Sequence, residues 1–552
     1  MAKPVILAVD DDPGVLRAVE RDLRNRYAKD YRIRRADSGD AALDALRQLS
    51  LRADPVALLL VDQRMPGMTG VEFLERARDY DADAKRVLLT AYADTSAAIQ
   101  AINDARLDYY LLKPWDPPEE RLYPVLDDLL TSWQRSYHPP FSGVRVVGNR
   151  WSPDSYAVRD FLERNLVPYE WHDIAAKAGA QLVERAQADP TRLPLVVFQD
   201  GTSLQTPGRR ELAQRAGLRT VAERPFYDLI VVGAGPAGLA ASVYGASEGL
   251  RTLLVESQAP GGQAGTSSMI ENYLGFPRGV SGREFTERAT EQADRLGAEM
   301  VASQVVGVGA DDTYRQVTLD DGSELSCHVL LLTVGLDWRK LDAPGVEALT
   351  GRGIYYGSSM AQARECMGDW VYLVGAGNSA GQAALMFAEH AAHVVLLVRG
   401  DTLATSMSRY LIDQVEAREN LEVRFCTTVA AAHGTDHLES LELADARTGA
   451  RETVPAGQLF LFIGATPQTG WMGGLLRTDG RGFLLTGPDL RTDGELPPEW
   501  PLGREPMLLE TNVPGVLAAG DVRLGSVKRV ASGVGEGAMA VQLAHEYLKR
   551  VR

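Results

Sequence analysis

Short apolar runs recur through the first 130 residues, each parted from the next by a stretch of mixed polar and apolar positions. KPVILAVD, RIRRAD, ALLLVD, RVLLTA and YYLLKP read as five strands, and the amphipathic segments between them read as helices. That alternation predicts a doubly wound α/β unit over 1–130. A breaker-rich stretch, SYHPPFSG (Ser136–Gly143), predicts a linker over 131–143. Residues 144–223 form a smaller module. VRVVGN predicts a strand, Asp154–Asn165 a helix and PYEWHDI a second strand. LPLVVFQDGTSLQTP predicts a hairpin turning at Asp200-Gly201, and GRRELAQRAGL a closing helix.

From residue 224 onward the pattern changes. An apolar strand, a glycine turn and a helix occur twice, as DLIVVGAGPAGLAASVYGASEGLRTLLVES from Asp228 and as DWVYLVGAGNSAGQAALMFAEHAAHVVLLVRG from Asp369. Such a turn brings backbone against a pyrophosphate at a helix N-terminus. Two of them in one chain predict two dinucleotides that exchange electrons. In the first, Gly233 makes the turn, Gly235 admits the pyrophosphate and Gly238 permits close helix packing. Glu256, at the end of the next strand, is placed to accept from a ribose 2′-hydroxyl. In the second, Gly375, Gly377, Asn378 and Ser379 form the turn, and the following strand ends at Arg399-Gly400 with no carboxylate. Arg399 suits a 2′-phosphate, which favours NADPH over NADH. Gly400 adds no second charge beside Arg399, which leaves NADH or no tight nucleotide binding open. The expected boundaries are 224–342 and 465–552 for the first nucleotide domain and 343–464 for the second.

Composition narrows the classes. The 552 residues carry 58 Lys and Arg against 74 Asp and Glu, a formal charge of −16. Nucleic acid and anionic membranes are therefore poor partners. Apolar runs such as Val56–Val61 are too short to span a bilayer. MAKPVILAVDDDPG turns acidic too early for a signal peptide. The three cysteines, Cys327, Cys366 and Cys426, form no CxxC and no metal-ligand spacing. A cytoplasmic location is expected.

The first module carries its own chemistry. Asp10 and Asp11 follow the first strand, and Asp62, Thr90 and Lys113 end the third, fourth and fifth. In a parallel sheet all of these fall on the C-terminal edge, where ligands bind. Clustered carboxylates with a lysine suit Mg²⁺, which with Lys113 would neutralise phosphate as Asp62 attacks a phosphodonor. Thr90 would hydrogen-bond the phosphoryl oxygens. Over its whole length the module resembles response-regulator receiver domains, through VDDDP, LLLVDQRMPGMTG, LLTAY and Tyr110-Leu-Leu-Lys113-Pro114. The resemblance implies phosphorylation of Asp62, Mg²⁺ held by Asp10, Asp11, Asp62 and the Arg64 carbonyl, and Tyr110 as switch partner of Thr90. It also implies a histidine kinase as partner.

RVVGNRWSPDSYAVRDFLERNLVPYEWHDI and LPLVVFQDGTSLQTP resemble glutaredoxins, with Pro194 as the cis-proline. The redox dithiol would then fall at Ser152 and Ser155, so thiol exchange is lost and a docking or spacer role is expected. Residues from about 225 to 552 resemble low-molecular-weight thioredoxin reductases, through GGQAGTSSMIENYLGFP, VGLDWRKLDAPG, IGATPQT and GVLAAGDVRLGSVKRVASGVGEGAMA. This implies FAD in the first cradle, with Gly262, Gln263 and Asn272 on the flavin side. Gly520 and Asp521 would hold the ribityl-pyrophosphate region, and Lys528, Arg529 and Val530 would pass the pyrimidine edge. The same resemblance places the family's dithiol in GRGIYYGSSM, where Gly357 and Met360 stand instead. Cys366 is expected to be a structural thiol.

The expected fold is thus multidomain α/β: a flavodoxin-like receiver, a thioredoxin-like middle domain and two Rossmann-like domains. The expected function is a response regulator whose output is an FAD-dependent NAD(P)H oxidoreductase, acting as a homodimer on an unidentified acceptor. A partner disulfide, a quinone, a second flavin and oxygen all remain open as that acceptor. The alternative is a non-catalytic sensor in which nucleotide binding and Asp phosphorylation control docking.

Overall fold

The computed structural model describes residues 3–91, 107–137, 141–311, 313–357 and 360–551. The segment expected to be a helix between the fourth and fifth strands, Tyr92 of LLTAY, residues 138–140 of the linker, and Ser358 and Ser359 lie outside the described residues. The chain divides into two compact units: residues 1–149 with 168–207, and residues 150–167 with 208–552.

The first unit holds the five expected strands: β1 (Val5–Val9), β2 (Arg32–Ala36), β3 (Val56–Asp62), β4 (Lys85–Thr90) and β5 (Tyr109–Leu112). They form one parallel sheet in the order β2-β1-β3-β4-β5. The wholly apolar β1 and the nearly apolar β3 are buried along their length, as strands covered on both faces must be. Ile6, Ala8 and Leu58 pack on one face with Leu23, Leu126 and Trp133 from helices Pro13–Tyr27 and Tyr123–Ser136. Leu7, Val9 and Leu59 pack on the other with Leu46, Phe73 and Leu74 from helices Gly39–Leu51 and Gly70–Ala77. Caps fix where helices begin. Asp12 accepts from the Gly14 and Val15 amides, and Thr69 with Glu72 closes a capping box.

Four more strands belong to this unit: β6 (Val144–Gly148), β7 (Tyr169–Asp173), β8 (Leu195–Val197) and β9 (Ser203–Gln205). Their order is β7-β6-β8-β9, with β6 and β7 parallel and the other pairs antiparallel. Gly201 turns the β8–β9 hairpin at φ +82°, as expected from Asp200-Gly201. The Leu193–Pro194 peptide is cis. Helix Lys177–Arg185 was not foreseen, because KAGAQLVER offers only Gly179, Leu182 and Val183 to the interior. Leu182 and Val183 pack there with Val147, Leu195 and Leu51. Arg145 donates to the Ser50 and Leu51 carbonyls, and Arg185 to Ser50 Oγ at 2.8 Å. The Arg145 bonds reach carbonyls at the end of helix Gly39–Leu51, and all three fasten this part of the unit to that helix.

In the second unit a seven-stranded sheet runs Glu299–Ala302, Thr252–Glu256, Phe226–Val232, Glu324–Leu332, Arg315–Leu319, Val305–Ala310. The C-terminal strand Val516–Ala518 returns to pair in parallel with Glu324–Leu332. A parallel five-stranded sheet follows the order Ile354–Tyr356, Gln458–Leu461, Trp370–Val374, His393–Val398, Leu421–Phe425. A three-stranded antiparallel sheet, Thr427–His433, Ser440–Asp445 and Arg451–Pro455, is appended to it in sequence. Helix Pro153–Arg164, one residue from its expected bounds, and helix Arg209–Arg215 also belong to this unit. The stretch 144–223 is therefore shared between the units, its strands in one and these two helices in the other.

Candidate functional site

In the first unit the C-terminal ends of β1, β3 and β5 converge. Lys113 Nζ lies 2.6 Å from Asp10 Oδ2 and 2.5 Å from Asp62 Oδ1. Carboxyl oxygens of Asp10, Asp11 and Asp62 lie within 4.8 Å of one another. Asp10 is 2% exposed and Asp62 8%, so neither charge is relieved by bulk water. Burial pushes the Asp10 carboxyl up despite its bond to Lys113 and the Asp12 amide. Burial opposes the Lys113 charge, but hydrogen bonds to Asp10 and Asp62, and their charges, hold its pKa above the ordinary value. Three carboxylates against one ammonium leave an excess of negative charge in a small space, which suits a hard divalent cation.

The Arg64 amide donates to Asp62 Oδ2 at 2.9 Å and steadies that carboxylate. Thr90 ends β4, and its carbonyl accepts from the Lys113 amide at 2.8 Å. The β4–β5 register sets Leu112 beside Thr90 and Tyr110 beside Leu88. Tyr110 is half exposed and stacks on Tyr109 with centroids 6.0 Å apart.

In the second unit, strand Phe226–Val232 ends in Gly233 at φ +100°, where a side chain would be strained. A Cβ on Gly238 would lie 1.9 Å from the Gly233 carbonyl oxygen, so only glycine lets helix Pro236–Ser247 start so close to the turn. A Cβ on Gly235 would meet nothing within 4 Å. Gly235 is the N-cap and offers no side chain to the helix amides. The result is open space in front of uncapped N–H groups, the geometry an anion needs. Glu256 ties the two sides of this cradle together. Its Oε2 accepts from the Ala234 amide at 2.6 Å and its Oε1 from the Gln258 amide at 2.7 Å.

Gly262, at φ +54°, lies beside Gly235. Gln263 donates to the Leu336 carbonyl at 2.9 Å, and Asn272 sits on an exposed turn. Gly520 donates its amide to Glu536 at 2.7 Å, and Lys528 donates to the Asp521 carbonyl at 2.7 Å. Burial pushes the Asp521 carboxyl up. Arg529 is exposed, and Val530 opens the long helix Val530–Val551. That helix crosses helix Pro236–Ser247 where a Cβ on Gly537 would lie 2.1 Å from the Ala237 carbonyl.

The second turn repeats the design. Gly377 caps helix Asn378–Ala388 without a side-chain bond, and a Cβ there would approach nothing closer than 4.0 Å. Asn378 is engaged with Ser408, donating to its Oγ at 3.0 Å and accepting from its amide at 2.7 Å. Ser406 Oγ donates to the Ala376 carbonyl at 2.8 Å. Ser406 and Ser408 thus hold a loop against the turn. Sequence reasoning missed both, since no spacing links them to residues thirty positions earlier. Ser379, Arg399 and Gly400 are exposed.

The thiols stand apart from this machinery. Cys366 is wholly buried, donates to the Gln362 carbonyl at 3.1 Å, and is pushed up to about 12 by burial. Cys327 is likewise pushed to about 12 by burial, inside the seven-stranded sheet of the second unit. Gly357 adopts φ +77°, and a Cβ on it would lie 3.1 Å from Trp338. Ser152 caps helix Pro153–Arg164 by accepting from the Ser155 amide at 3.3 Å, and Ser155 is buried. Among the described residues no helix is long and apolar enough to cross a membrane.

Two family descriptions match the chain. Residues 227–545 match the family described as pyridine nucleotide-disulphide oxidoreductase, and residues 6–122 match the response regulator receiver domain. The chain is 31% identical over 327 residues to a thioredoxin reductase of Treponema pallidum, covering 58% of this chain and 97% of that protein. It is 29% identical over 334 residues to a thioredoxin reductase of Peptoclostridium acidaminophilum, with coverage of 58% and 97%. A crystal structure of Lactococcus lactis thioredoxin reductase in its FR conformation superposes with TM-score 0.53 at 26% identity, covering 59% of this chain and 99% of that one.

Proposed function

Because the chain belongs to the pyridine nucleotide-disulphide oxidoreductase family, and a receiver domain precedes that part, we propose a phosphorylation-controlled NAD(P)H oxidoreductase. The observation that carries this is the coexistence of a lysine-bridged aspartate pocket with two open, uncapped helix N-termini behind glycine turns. When bound, FAD and a reduced nicotinamide would supply the hydride-transfer chemistry, and no residue of this chain would be needed as a general base. Gly233, Gly235, Gly238 and Glu256 would hold the FAD diphosphate and ribose, and Gly520 with Asp521 its ribityl side. Gly375, Gly377 and Ser379 would hold the nicotinamide dinucleotide, and Arg399 its 2′-phosphate.

No CxxC exists in the sequence, so electrons leave for an acceptor outside this chain. In the receiver, Asp62 displaces the leaving group of a phosphodonor and takes its phosphoryl group. Asp10, Asp11, Asp62 and the Arg64 carbonyl would hold Mg²⁺, which with Lys113 would balance the charge. A histidine kinase as donor, a homodimer and a cytoplasmic location complete this reading. One measurement tests it: visible spectra of the purified chain before and after anaerobic NADPH. A yellow protein bleached by NADPH supports it, and a colourless chain that cannot be reconstituted with FAD overturns it.

A second reading is favoured by the buried thiols and by the solitary Arg399. In it, nucleotide occupancy alters docking and turnover is incidental. Steady-state NADPH oxidation with dichlorophenolindophenol, set against thioredoxin, separates the two. Fast dye reduction supports the oxidoreductase, and no turnover with either supports the sensor.

A further inference from the structure

Helix Pro153–Arg164 ends in a turn in which the Leu166 amide donates to the Glu163 carbonyl at 3.1 Å and the Val167 amide to the Leu162 carbonyl at 2.9 Å. Leu166, just past it, has φ +59°, a left-handed conformation normally left to glycine. Beside this turn lies a cavity of about 160 Å³. Arg164, Asn165 and Leu166 line it together with Glu256, Pro260 and Met300. Glu256 is the carboxylate placed for a ribose 2′-hydroxyl, so the cavity lies where the adenosine end of a dinucleotide extends.

The same residues hold the loop that follows Glu256. Asn165 Nδ2 donates to the Gln258 carbonyl at 2.9 Å, and Arg164 donates to Gln258 Oε1 at 3.1 Å. Arg164 also reaches the Gly262 carbonyl at 3.4 Å, and Arg209 donates to the Ser257 carbonyl at 3.2 Å. Four bonds from residues outside the nucleotide domains therefore set the path of the Ser257–Gly262 loop.

We infer that Arg164, Asn165 and Leu166 complete the adenosine site of the FAD cradle, so that helix Pro153–Arg164 and the cofactor bind cooperatively. This rests on the assignment of FAD to the first cradle. The helix also grips the second nucleotide domain. Arg159 pairs with Glu365, Tyr156 packs on Tyr355 with centroids 5.0 Å apart, and Trp151 stacks on His437 at 4.7 Å. Whatever stabilises the helix in place must then stabilise FAD by the same factor, by linkage.

The test uses the full-length apo chain, titrated with FAD and, separately, with ADP as a probe of the adenosine end alone. In Arg164→Ala/Asn165→Ala, FAD and ADP should each bind about tenfold more weakly, because the loop loses its fixed path. In the wild type, ADP should slow amide hydrogen exchange over residues 161–167. Wild-type affinities in the variant, or exchange over 161–167 that is blind to ADP, overturn the inference. A wild type that binds neither FAD nor ADP overturns the cofactor assignment itself. If the double variant is unfolded, Gln258→Ala decides instead: it deletes the Arg164 acceptor and should cost about threefold in ADP affinity, while an unchanged affinity overturns the inference.

Discussion

The receiver pocket and the redox unit are built on the same rule, functional groups at the C-terminal edge of a parallel sheet, yet they differ in what they retain. The receiver keeps its reacting atoms. Asp62 is in hand with Lys113, Asp10 and a steadied backbone amide, all inside one pocket. The redox unit keeps its binding geometry, with open cradles behind Gly235 and Gly377, but no pair of thiols that could relay electrons. A site can lose its reacting atoms and keep its cradle, because cradles depend on backbone and glycine while relays depend on a few side chains.

The largest expected effect is on the reacting atom itself. Acetyl phosphate with Mg²⁺ should add one phosphoryl mass to the wild type and none to Asp62→Asn. Asp11→Ala should slow the reaction by removing a cation ligand. A phosphoryl adduct that survives in Asp62→Asn would remove the receiver side of the comparison.

Next is the cradle. Gly238→Val would force a side chain against the Gly233 carbonyl, 1.9 Å from where its Cβ must stand. Overpacking of this kind costs about 1–3 kcal/mol, and here it acts on the turn proposed to hold the FAD diphosphate. The variant should purify without flavin and melt several degrees lower. Retention of stoichiometric FAD would contradict the role given to this turn.

The thiols give a pH prediction. A thiol raised to about 12 is protonated at all ordinary pH. At pH 8 roughly one Cys366 in ten thousand is thiolate, so alkylation by iodoacetamide should be slow and should rise only in strong alkali. Mass spectrometry of the native chain reads this directly. Cys366→Ser should leave dye reduction within about twofold. Rapid labelling at pH 7, or loss of turnover in Cys366→Ser, would make that thiol a redox group.

How much of this was legible in sequence follows from what each feature depends on. Strand ends and glycine turns are local, so β1 to β5 and the positions of Asp10, Asp62, Lys113 and Gly233 to Gly238 could be read directly. Helix Lys177–Arg185 could not, because its burial is supplied by Leu51 and Val147 from distant segments. Ser406 and Ser408 act through a loop folded back on Ala376 and Asn378, which no periodicity reveals. The division of residues 144–223 between two units is likewise tertiary: composition does not distinguish helix Pro153–Arg164 from the strands on either side of it in sequence.

That division gives the smallest and most informative test. Strands β6 to β9 are fastened to receiver helix Gly39–Leu51 through Arg145 and Arg185, while helix Pro153–Arg164 is fastened to both nucleotide domains through Arg159 and Asn165. Chain continuity therefore joins the two units at residues 149–150, 167–168 and 207–208 without a long spacer. A phosphoryl group on Asp62 can bias the redox unit only through its different interaction with two arrangements of this stretch. Typical couplings of 1–3 kcal/mol predict that beryllofluoride on Asp62 changes the rate of flavin reduction by NADPH by about fivefold or more. Arg145→Ala, which removes the Arg145 bonds to the Ser50 and Leu51 carbonyls, should shrink that response while leaving the mass shift at Asp62 intact. Stopped-flow reduction with and without beryllofluoride, in wild type, Asp62→Asn and Arg145→Ala, reads all of this. Equal rates in every case would show that the receiver retains its chemistry without passing it on.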